Sequence, residues 1–466
     1  MTYLVAILAY LAALIVVGAV RSRQVRDEAD FMVAGRRLGP WVLVGTLVAT
    51  WIGSGSLFGA AGLAYEHGFS ALWFDAGVWV AIIVLYFVAG RVRAFAQFTV
   101  PDILEARYNT AARVLGTVVT IIAYTAIVSY QIRAGGMVLE FVTGIPASTG
   151  MALTAVFVIG YTVLAGMISV AYTDVVNGVV MTAGLLLALP FLIDNAGGWE
   201  SIRSALPATR FELFGELTVA RALGYSVATM LLLLGEGGMY QRFFSARDER
   251  TARRAVLGWI AGTIVLECLV AVLAVAGSAR FGGIDGEMVI LHVVTEALPL
   301  AAGCLCLGAI VAVIVSTADS FLLVPATNIT RDIYQRFIRP EASHRHLVTF
   351  SRTVVVILGL AAWLQVSFFS GVLEMAVYAY TMYGTGITPA LMAAFFWKRA
   401  NGAGAVTSMA AGMAVTLAWE LAGQPGGVPT VYPALASSLA CLVVVSLATR
   451  PPEESKWRAL EGGRRR

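Results

Sequence analysis

The sequence predicts an all-helical integral membrane protein with about thirteen transmembrane helices. Of its 466 residues, 59% are hydrophobic and only 13% are charged, and the mean hydropathy is +0.81. A soluble protein of this length would need far more charge to cover its surface. Apolar runs of about 20 residues, the length that crosses the hydrocarbon core of a bilayer, recur along the whole chain. We therefore expect the lipid bilayer to surround most of the protein.

Thirteen apolar runs are predicted as spans. The first is long for a signal peptide and has no basic segment before it, so we interpret it as a retained span. The fifth and sixth are divided only by the uncharged turn near Gly166–Val170. In chain order the runs cover residues 2–20, 41–65, 69–91, 114–141, 148–168, 171–194, 221–244, 255–281, 299–326, 346–368, 372–397, 402–422 and 430–448.

Basic residues are concentrated in alternate loops. The loops after the first, third, seventh, ninth and eleventh runs, together with the C-terminal tail, hold nearly all of the 32 Lys and Arg. The segment 242–254, for example, contains five arginines and is assigned to such a loop. The positive-inside rule then places the N-terminus outside and the C-terminus in the cytoplasm. This predicts a multi-pass protein of the cell's inner (plasma) membrane.

Enzymatic chemistry is not indicated. The sequence has no Walker A motif and no HExxH zinc motif, and no nucleophile–base pair stands out. The four cysteines lie inside apolar runs, where they are typical small core residues. We therefore predict a non-enzyme, with no nucleic-acid partner and no obligate protein partner.

Glycine interrupts two of the predicted spans. The second contains IGSGSLFG, with Gly53 and Gly55, and the seventh contains LLLLGEGGMY, with a cluster at 235–238. Glycine-broken segments at matching places in two halves indicate the binding site of an inverted-repeat transporter. Close helix packing through small residues is the alternative. The predicted organisation is an extra N-terminal span and cytoplasmic loop (1–40), a first five-span repeat (41–194), an extracellular loop (195–220), a second five-span repeat (221–397), two extra spans (398–448) and a basic cytoplasmic tail (449–466).

Polar side chains share one face of the ninth run. The residues at i, i+3, i+4 and i+7 are Val313, Ser316, Thr317 and Ser320. Their hydroxyl and carbonyl oxygens suit a small monovalent cation, and an unwound stretch at 49–52 would add free carbonyls. The alternative is ordinary hydrogen bonding of Ser and Thr to the preceding helical turn. Asp319 favours an ion site, because an intramembrane carboxylate is costly and usually functional.

Four stretches resemble the sodium:solute symporter family, which includes sodium/glucose, sodium/proline and choline cotransporters. They are YTVLAGMISVAYTD (161–174), MYQRFFSARDERTARR (239–254), VSTADSFLLVPATNITRDIY (315–334) and FFWKRANGAGAVTSMAAG (395–412). Ala165 departs from the family signature, which usually has a second glycine there. The resemblance covers essentially the whole chain. It implies a LeuT-type fold with a 5+5 inverted repeat, and Na⁺-driven uptake of a small organic solute by alternating access.

The resemblance also implies two sets of sodium ligands. The main ion site would consist of the carbonyls of Ala49, Ile52 and Val313 and the hydroxyls of Ser316 and Thr317. The second ion site, which only some members of the family have, would consist of Asp174, Ser316, Asp319 and Ser320. Asp319 stands where some members have a hydroxyl, so the sequence leaves open whether one or two Na⁺ ions are bound.

The substrate site is less well defined by the sequence. The candidate residues are Trp51, Asp75, Gln131, Arg133 and Glu236. Arg133 is suited to a carboxylate, which Arg binds bidentately, and a carboxylate-transporting branch of the family resembles this chain in placing an Arg on the same helix. An Arg133–Glu236 ion pair between helices is the alternative. Trp51 is placed to wall the cavity, where an aromatic face also suits an ammonium. Glu267 and Glu374 are interpreted as helix-contact residues.

The sequence therefore predicts Na⁺-coupled symport of a small organic solute, either a carboxylate or a zwitterion. The sequence leaves three alternatives open. They are a proton-coupled carrier that uses Asp174 and Asp319, a choline-type or sugar-type substrate, and a non-transporting membrane sensor with the same fold.

Overall fold

The computed structural model describes residues 2–22, 33–95, 99–164 and 167–458, and these residues fold into helices without a β-strand. The helices, numbered in chain order, are α1 (Thr2–Ser22), α2 (Pro40–Trp51), α3 (Ala61–His67), α4 (Leu72–Phe95), α5 (Val100–Arg107), α6 (Thr110–Thr143), α7 (Ala147–Leu164), α8 (Met167–Asn195), α9 (Trp199–Ala205), α10 (Val219–Gly235), α11 (Gly237–Ser245), α12 (Glu249–Arg280), α13 (Val289–His292), α14 (Leu300–Asn328), α15 (His344–Gln365), α16 (Val372–Phe396), α17 (Gly402–Leu421), α18 (Val431–Ala448) and α19 (Glu454–Arg458). A π-helical turn at Gly55–Ala60 leads into α3, and another at Ile329–Ile338 extends α14.

Within the described ranges, nine helical segments are long and apolar enough to cross a bilayer. Three apolar helices are shorter: Thr2–Ala13, Pro40–Trp51 and Ala147–Val163. The all-helical membrane architecture is therefore confirmed, whereas the count of thirteen spans stays a prediction. The weakly marked division between the fifth and sixth runs falls between α7 and α8. Ala165, where the sequence departs from the family signature, lies outside the described residues.

Both glycine-rich spans are broken, as the sequence predicts. Helix α2 ends at Trp51, Ile52 is extended (φ −76°, ψ 99°), and the chain becomes helical again by Gly55. Helix α10 ends at Gly235, Glu236 is extended (φ −61°, ψ 114°), and α11 begins at the next residue. Because the last carbonyls of a helix have no intrahelical partner, each break leaves polar backbone groups in the interior of the protein.

Helix α14 lies centrally, packed against α1, α2, α6 and α8, while α10 packs against α4 and α16. The contact between α4 and α10 requires a glycine. A Cβ atom built on Gly77 would lie only 1.8 Å from the carbonyl oxygen of Ser226. The packing of α14 against α2 places the break after α2 next to the polar face of α14.

Candidate ion and substrate site

The break after α2 brings together residues from three helices. The Ser54 backbone N–H donates to Gln131 Oε1 on α6 at 3.2 Å. A Cβ atom built on Gly53 would lie 2.8 Å from Gln131 Nε2 and 3.1 Å from Thr317 Oγ1 on α14. A larger residue at position 53 would therefore push both side chains away. Gln131 and Thr317, two of the residues predicted from sequence, meet at this break.

Three polar atoms around the break are buried with no hydrogen-bond partner among the described residues. They are Ser54 Oγ, Gln131 Nε2 and Thr317 Oγ1. Buried polar groups are normally satisfied, and an unsatisfied one costs about 1–3 kcal/mol. The two hydroxyl oxygens offer lone pairs to a cation, and the amide nitrogen offers a donor to an anionic or carbonyl oxygen. The cluster thus has the chemistry of a joint ion and substrate site.

The five residues predicted for the main ion site lie on α14 and at the end of α2, and these two helices pack against each other. Ala49 is in the last turn of α2 and Ile52 is at the break itself, while the other three lie on one face of α14. All five are buried. The free helix-end carbonyls and the unpartnered Thr317 hydroxyl fit a hard monovalent cation such as Na⁺.

Asp174 on α8 is the centre of a second polar cluster. Its carboxylate accepts hydrogen bonds from Ser316 on α14 and from Thr46 on α2 (2.6 Å). It also forms an ion pair with Arg242 on α11, with 3.2 Å between Arg242 Nη2 and Asp174 Oδ2. The side chains of Asp174 and Arg242 are both fully buried. The cluster therefore joins four helices in the interior.

The position of Arg242 corrects the sequence analysis, which assigns this residue to a basic loop. Helix α11 continues to Ser245, so Arg242 lies within the helix, and its side chain is buried in the interior of the protein. Its Nε donates to Thr46 Oγ1 at 3.0 Å and its Nη2 donates to Ser320 Oγ at 3.2 Å. One signal could have identified it: Arg242 lies among large apolar residues, whereas the remaining arginines of that segment follow Ala246 in a charged sequence.

Asp319 differs from Asp174 although both belong to the predicted second ion site. It is fully buried, and neither of its carboxylate oxygens has a hydrogen-bond partner in the described part of the chain. Asp174 and Arg242 are its charged neighbours, and Thr162 is a polar neighbour. The four residues predicted for the second ion site thus lie near one another, and the Arg242 guanidinium lies among them.

Glu267, predicted from sequence only as a helix contact, lies next to a candidate substrate residue. Trp51 Nε1 donates to Glu267 Oε1 at 2.8 Å, and Trp79 Nε1 donates to Glu267 Oε2 at 2.6 Å. Asp75 lies within electrostatic reach of Glu267 and of Tyr380. The region between α4, α12 and the first break therefore holds two carboxylates.

Asp75 is 4% exposed, and no described residue forms a hydrogen bond or an ion pair with its carboxylate. Glu267 is held by two indoles but by no cation of the described chain. Burying a carboxylate without a counter-charge is costly. Two such groups within electrostatic reach of each other suit a ligand that carries positive charge better than they suit a purely structural contact.

An aromatic wall connects this acidic pair to the break. The rings of Trp51 and Tyr380 are 6.2 Å apart, and the Tyr380 and Tyr130 hydroxyls are 3.3 Å apart. A Cβ atom built on Gly55 would lie 2.7 Å from the Tyr380 hydroxyl. The break, the aromatic wall and the carboxylates thus form one continuous region.

The Arg133–Glu236 ion pair that the sequence analysis offers as an alternative is wrong. Arg133 donates to the carbonyls of Phe369 (3.1 Å) and Ser370 in the connection between α15 and α16. Glu236 instead caps α11, accepting from the backbone N–H groups of Gly238 (2.8 Å) and Met239 (2.7 Å). A carboxylate at a helix N-terminus is favourable because it compensates the helix dipole.

Arg133 is also not aligned with Gln131. Two residues apart on α6, these side chains emerge from nearly opposite faces of the helix. Both terminal nitrogens of the Arg133 guanidinium are already bonded to backbone carbonyls. The structure therefore brings Gln131, Trp51 and Asp75 to the region of the break, and it gives Arg133 and Glu236 other partners.

Solved structures with the same architecture are helical secondary transporters. An outward-open Na⁺-coupled sialic acid symporter superposes with a TM-score of 0.83 at 18% identity, covering 97% of this chain and 99% of that one. The nucleobase-cation-symport-1 family transporter Mhp1, in a closed conformation, gives a TM-score of 0.62 at 13% identity, covering 92% and 98%. At these identities the likeness defines the fold alone, which is that of the LeuT-type transporters.

Residues 31–412 match the sodium:solute symporter family, and the chain belongs to this family of membrane transporters. Among curated relatives, the osmoregulated proline transporter OpuE of Bacillus subtilis is 29% identical, covering 96% of this chain and 95% of its own. The high-affinity proline transporter PutP of the same organism is 27% identical, covering 95% and 97%. A sodium/proline symporter of Haemophilus influenzae is 27% identical, covering 96% and 94%.

Proposed function

We propose that this protein is a Na⁺-coupled symporter that takes up a small zwitterionic amino or imino acid, with proline as the first candidate. Membership of the family supports the proposal, and so do the two proline transporters that match this chain over nearly their whole length. The observation that carries it is the cluster of buried, unpartnered polar atoms at the break after α2. Such a cluster is costly in the unliganded chain and is satisfied when an ion and a polar solute bind.

The coupling ion is proposed to bind at the main ion site. Three backbone carbonyls and two hydroxyls provide neutral, hard oxygen ligands, which suit a monovalent cation better than a divalent one. The site lies between α2 and α14, so the bound ion would hold the two helices together. This links ion occupancy to the relative positions of the helices, as alternating access requires.

The solute is proposed to bind between the break and the acidic pair. Gln131 Nε2 and Ser54 Oγ offer hydrogen-bond donors to a carboxylate at one end. Asp75 and Glu267 offer negative charge to an ammonium at the other end. Trp51 and Tyr380 between them cover the apolar part of the solute. Arg133 is not included, because backbone carbonyls already engage its guanidinium.

The architecture proposed for this function is the one predicted from the sequence. It has thirteen spans, with five-span repeats at 41–194 and 221–397 and the N-terminus outside. The two breaks, after α2 and after α10, occur early in each repeat, as expected for inverted halves. Alternating access would then expose the break region to one side of the membrane at a time.

Transport assays in proteoliposomes test this function. We expect labelled proline to accumulate under an inward Na⁺ gradient and not under a K⁺ gradient. Accumulation driven by a pH gradient without Na⁺ would instead support proton coupling. If neither proline nor any other amino acid is transported or competes, the zwitterion assignment fails.

A quaternary amine such as choline is the second candidate solute. The acidic pair beside Trp51 and Tyr380 favours it, since aromatic faces and carboxylates both attract an ammonium. A competition series of proline, choline and N-acetylproline separates the two candidates. Proline alone competing supports the zwitterion, and choline alone competing supports the quaternary amine. Competition by N-acetylproline, which has no ammonium, would contradict the role of the acidic pair.

A further inference from the structure

We infer that Arg242 is a built-in cation that takes the place of a second Na⁺, so that each transport cycle carries a single sodium ion. The inference rests on the proposed Na⁺ coupling and specifies its stoichiometry. Sequence resemblance places a second ion site at Asp174, Ser316, Asp319 and Ser320. In the structure, the guanidinium of Arg242 is bonded to two of these four residues.

Three of the four residues of the second ion site are already engaged, and only the Asp319 carboxylate has no hydrogen-bond partner among the described residues. Asp174 Oδ1 accepts from the Ser316 hydroxyl. Asp174 Oδ2 accepts from Thr46 at 2.6 Å and from Arg242 Nη2 at 3.2 Å. Ser320 Oγ accepts from the same guanidinium nitrogen at 3.2 Å. A sodium ion bound by both Asp174 Oδ2 and Ser320 Oγ would have to displace the guanidinium from both residues.

The guanidinium is anchored by bonds that reach beyond the second ion site. Arg242 Nε donates to Thr46 Oγ1 on α2 at 3.0 Å, and Nη1 donates to the Gly238 carbonyl on its own helix at 3.2 Å. An arginine is charged under all ordinary conditions and presents its donors in a rigid plane. Because its side chain is fully buried, displacement would strand a positive charge and several donors. The cation is therefore a fixed part of the site.

Charge counting gives the same stoichiometry for the state in which both carboxylates of the cluster are ionised. With both carboxylates ionised, Asp174 and Asp319 contribute two negative charges and Arg242 contributes one positive charge. One Na⁺ at the adjoining main ion site makes the total neutral. A second Na⁺ would give an excess positive charge in a buried region and would lie against the guanidinium. Electrostatics thus favours one mobile ion beside one tethered cation.

The test counts sodium ions bound to purified protein. Equilibrium binding of ²²Na⁺ is measured together with the Na⁺ dependence of the melting temperature. For the wild type we expect one ion per chain and a Hill coefficient near one. Arg242→Gln keeps hydrogen-bonding capacity but removes the charge, so a second ion should bind. Arg242→Lys keeps the charge and is the matched control, in which the count should remain one.

Several outcomes would overturn the inference. Two ions bound to the wild type, falling to one in Asp174→Asn or Asp319→Asn, would show that the second ion site binds Na⁺ despite Arg242. A folded Arg242→Gln variant that still binds a single ion would show that the guanidinium does not exclude sodium. If Arg242→Gln does not fold, a wild-type count of two ions still overturns the inference, and a count of one supports the single-ion stoichiometry. Absence of any Na⁺ binding would instead refute the proposed Na⁺ coupling.

Discussion

Replacing Glu236 should destabilise the break between α10 and α11 without any involvement of Arg133. The buried carboxylate accepts hydrogen bonds from two backbone N–H groups and from the Tyr124 hydroxyl, which lies 2.5 Å away. Loss of a helix N-cap costs about 1 kcal/mol, and each buried donor left without an acceptor costs about 1–3 kcal/mol. Relief of the buried charge offsets part of this. We therefore expect Glu236→Ala to lose about 3 kcal/mol, and Glu236→Gln about half, since the amide keeps one acceptor oxygen.

The assay is chemical and thermal unfolding of the purified protein in nanodiscs. Glu374→Ala is a matched control, because Glu374 also accepts from a backbone N–H, that of Ser370 at 3.0 Å, but is exposed. We expect this control to stay within about 0.5 kcal/mol of the wild type. Comparable losses in the two variants would refute the proposed cap.

A double-mutant cycle then separates the cap from the ion pair that the sequence suggested. Arg133 and Glu236 have different partners, so the effects of Arg133→Met and Glu236→Gln should add within about 0.5 kcal/mol, as for independent sites. A coupling energy well above that value would mean that the two charges interact. The explanation of Glu236 as the cap of α11 would then be wrong.

The remaining predictions concern the main ion site, a charge cluster and a loop carboxylate. Thr317→Ala should weaken Na⁺ affinity about tenfold, a loss of about 1.4 kcal/mol, in a Na⁺ titration of the melting temperature. Thr330→Ala should leave the Na⁺ affinity unchanged, because the Thr330 hydroxyl bonds only the Ala326 carbonyl one turn back. Equal Na⁺ affinities in the wild type and both variants would show that the main ion site lies elsewhere. Arg113→Met should lose about 3–5 kcal/mol, because Arg113 is paired with Asp102, Glu105 and Asp332. Arg336→Met is the control and should lose less than about 1 kcal/mol, because the Arg336 side chain of its ion pair is 56% exposed. Similar melting temperatures for the Arg113 and Arg336 variants would contradict a stabilising role for the cluster. Burial raises the pKa of Glu287 above its ordinary 4.5, although hydrogen bonds from the backbone N–H groups of Leu373 and Val372 lower it in part. Its protonated form therefore stabilises the fold, and that contribution is lost as the pH rises from about 4.5 through the folded pKa. Glu287→Gln should therefore become more stable relative to the wild type as the pH rises through this range. A relative loss of stability would contradict the raised pKa.

The helical architecture and both breaks are predictable from the sequence because they depend on local features. Apolar runs of bilayer length predict helices wherever they occur. Glycine clusters at 53–55 and 235–238 predict interruptions, and the structure confirms them at Ile52 and Glu236. The spacing of Ser316 and Thr317 likewise predicts a shared helical face. None of these predictions requires knowledge of which helices are neighbours.

The partners of the charged residues are not predictable in this way. Arg133 bonds carbonyls 236 and 237 residues further along the chain, and Glu267 bonds an indole 216 residues before it. Arg242 is adjacent in sequence to a basic loop, so its positive charge is typical of the loop and not of the protein interior. The large apolar residues around Arg242 are its one local signal, and the packing of α11 against other helices shows that it is buried.

The intramembrane carboxylates of the described chain fall into two groups, and the grouping supports the proposed function. Glu236 is satisfied by a helix terminus, and Asp174 is satisfied by Arg242 and three hydroxyls, those of Thr46, Thr50 and Ser316. Asp75 and Asp319 have no such partner, and Glu267 is bonded only to indoles. If charge balance were purely structural, these three would also be paired within the protein. They lie instead beside the two regions where a sodium ion and an ammonium are proposed to bind. The charges that the fold leaves uncompensated are therefore those that a cation and a zwitterionic solute would compensate together, which gives a physical reason for their transport to be coupled.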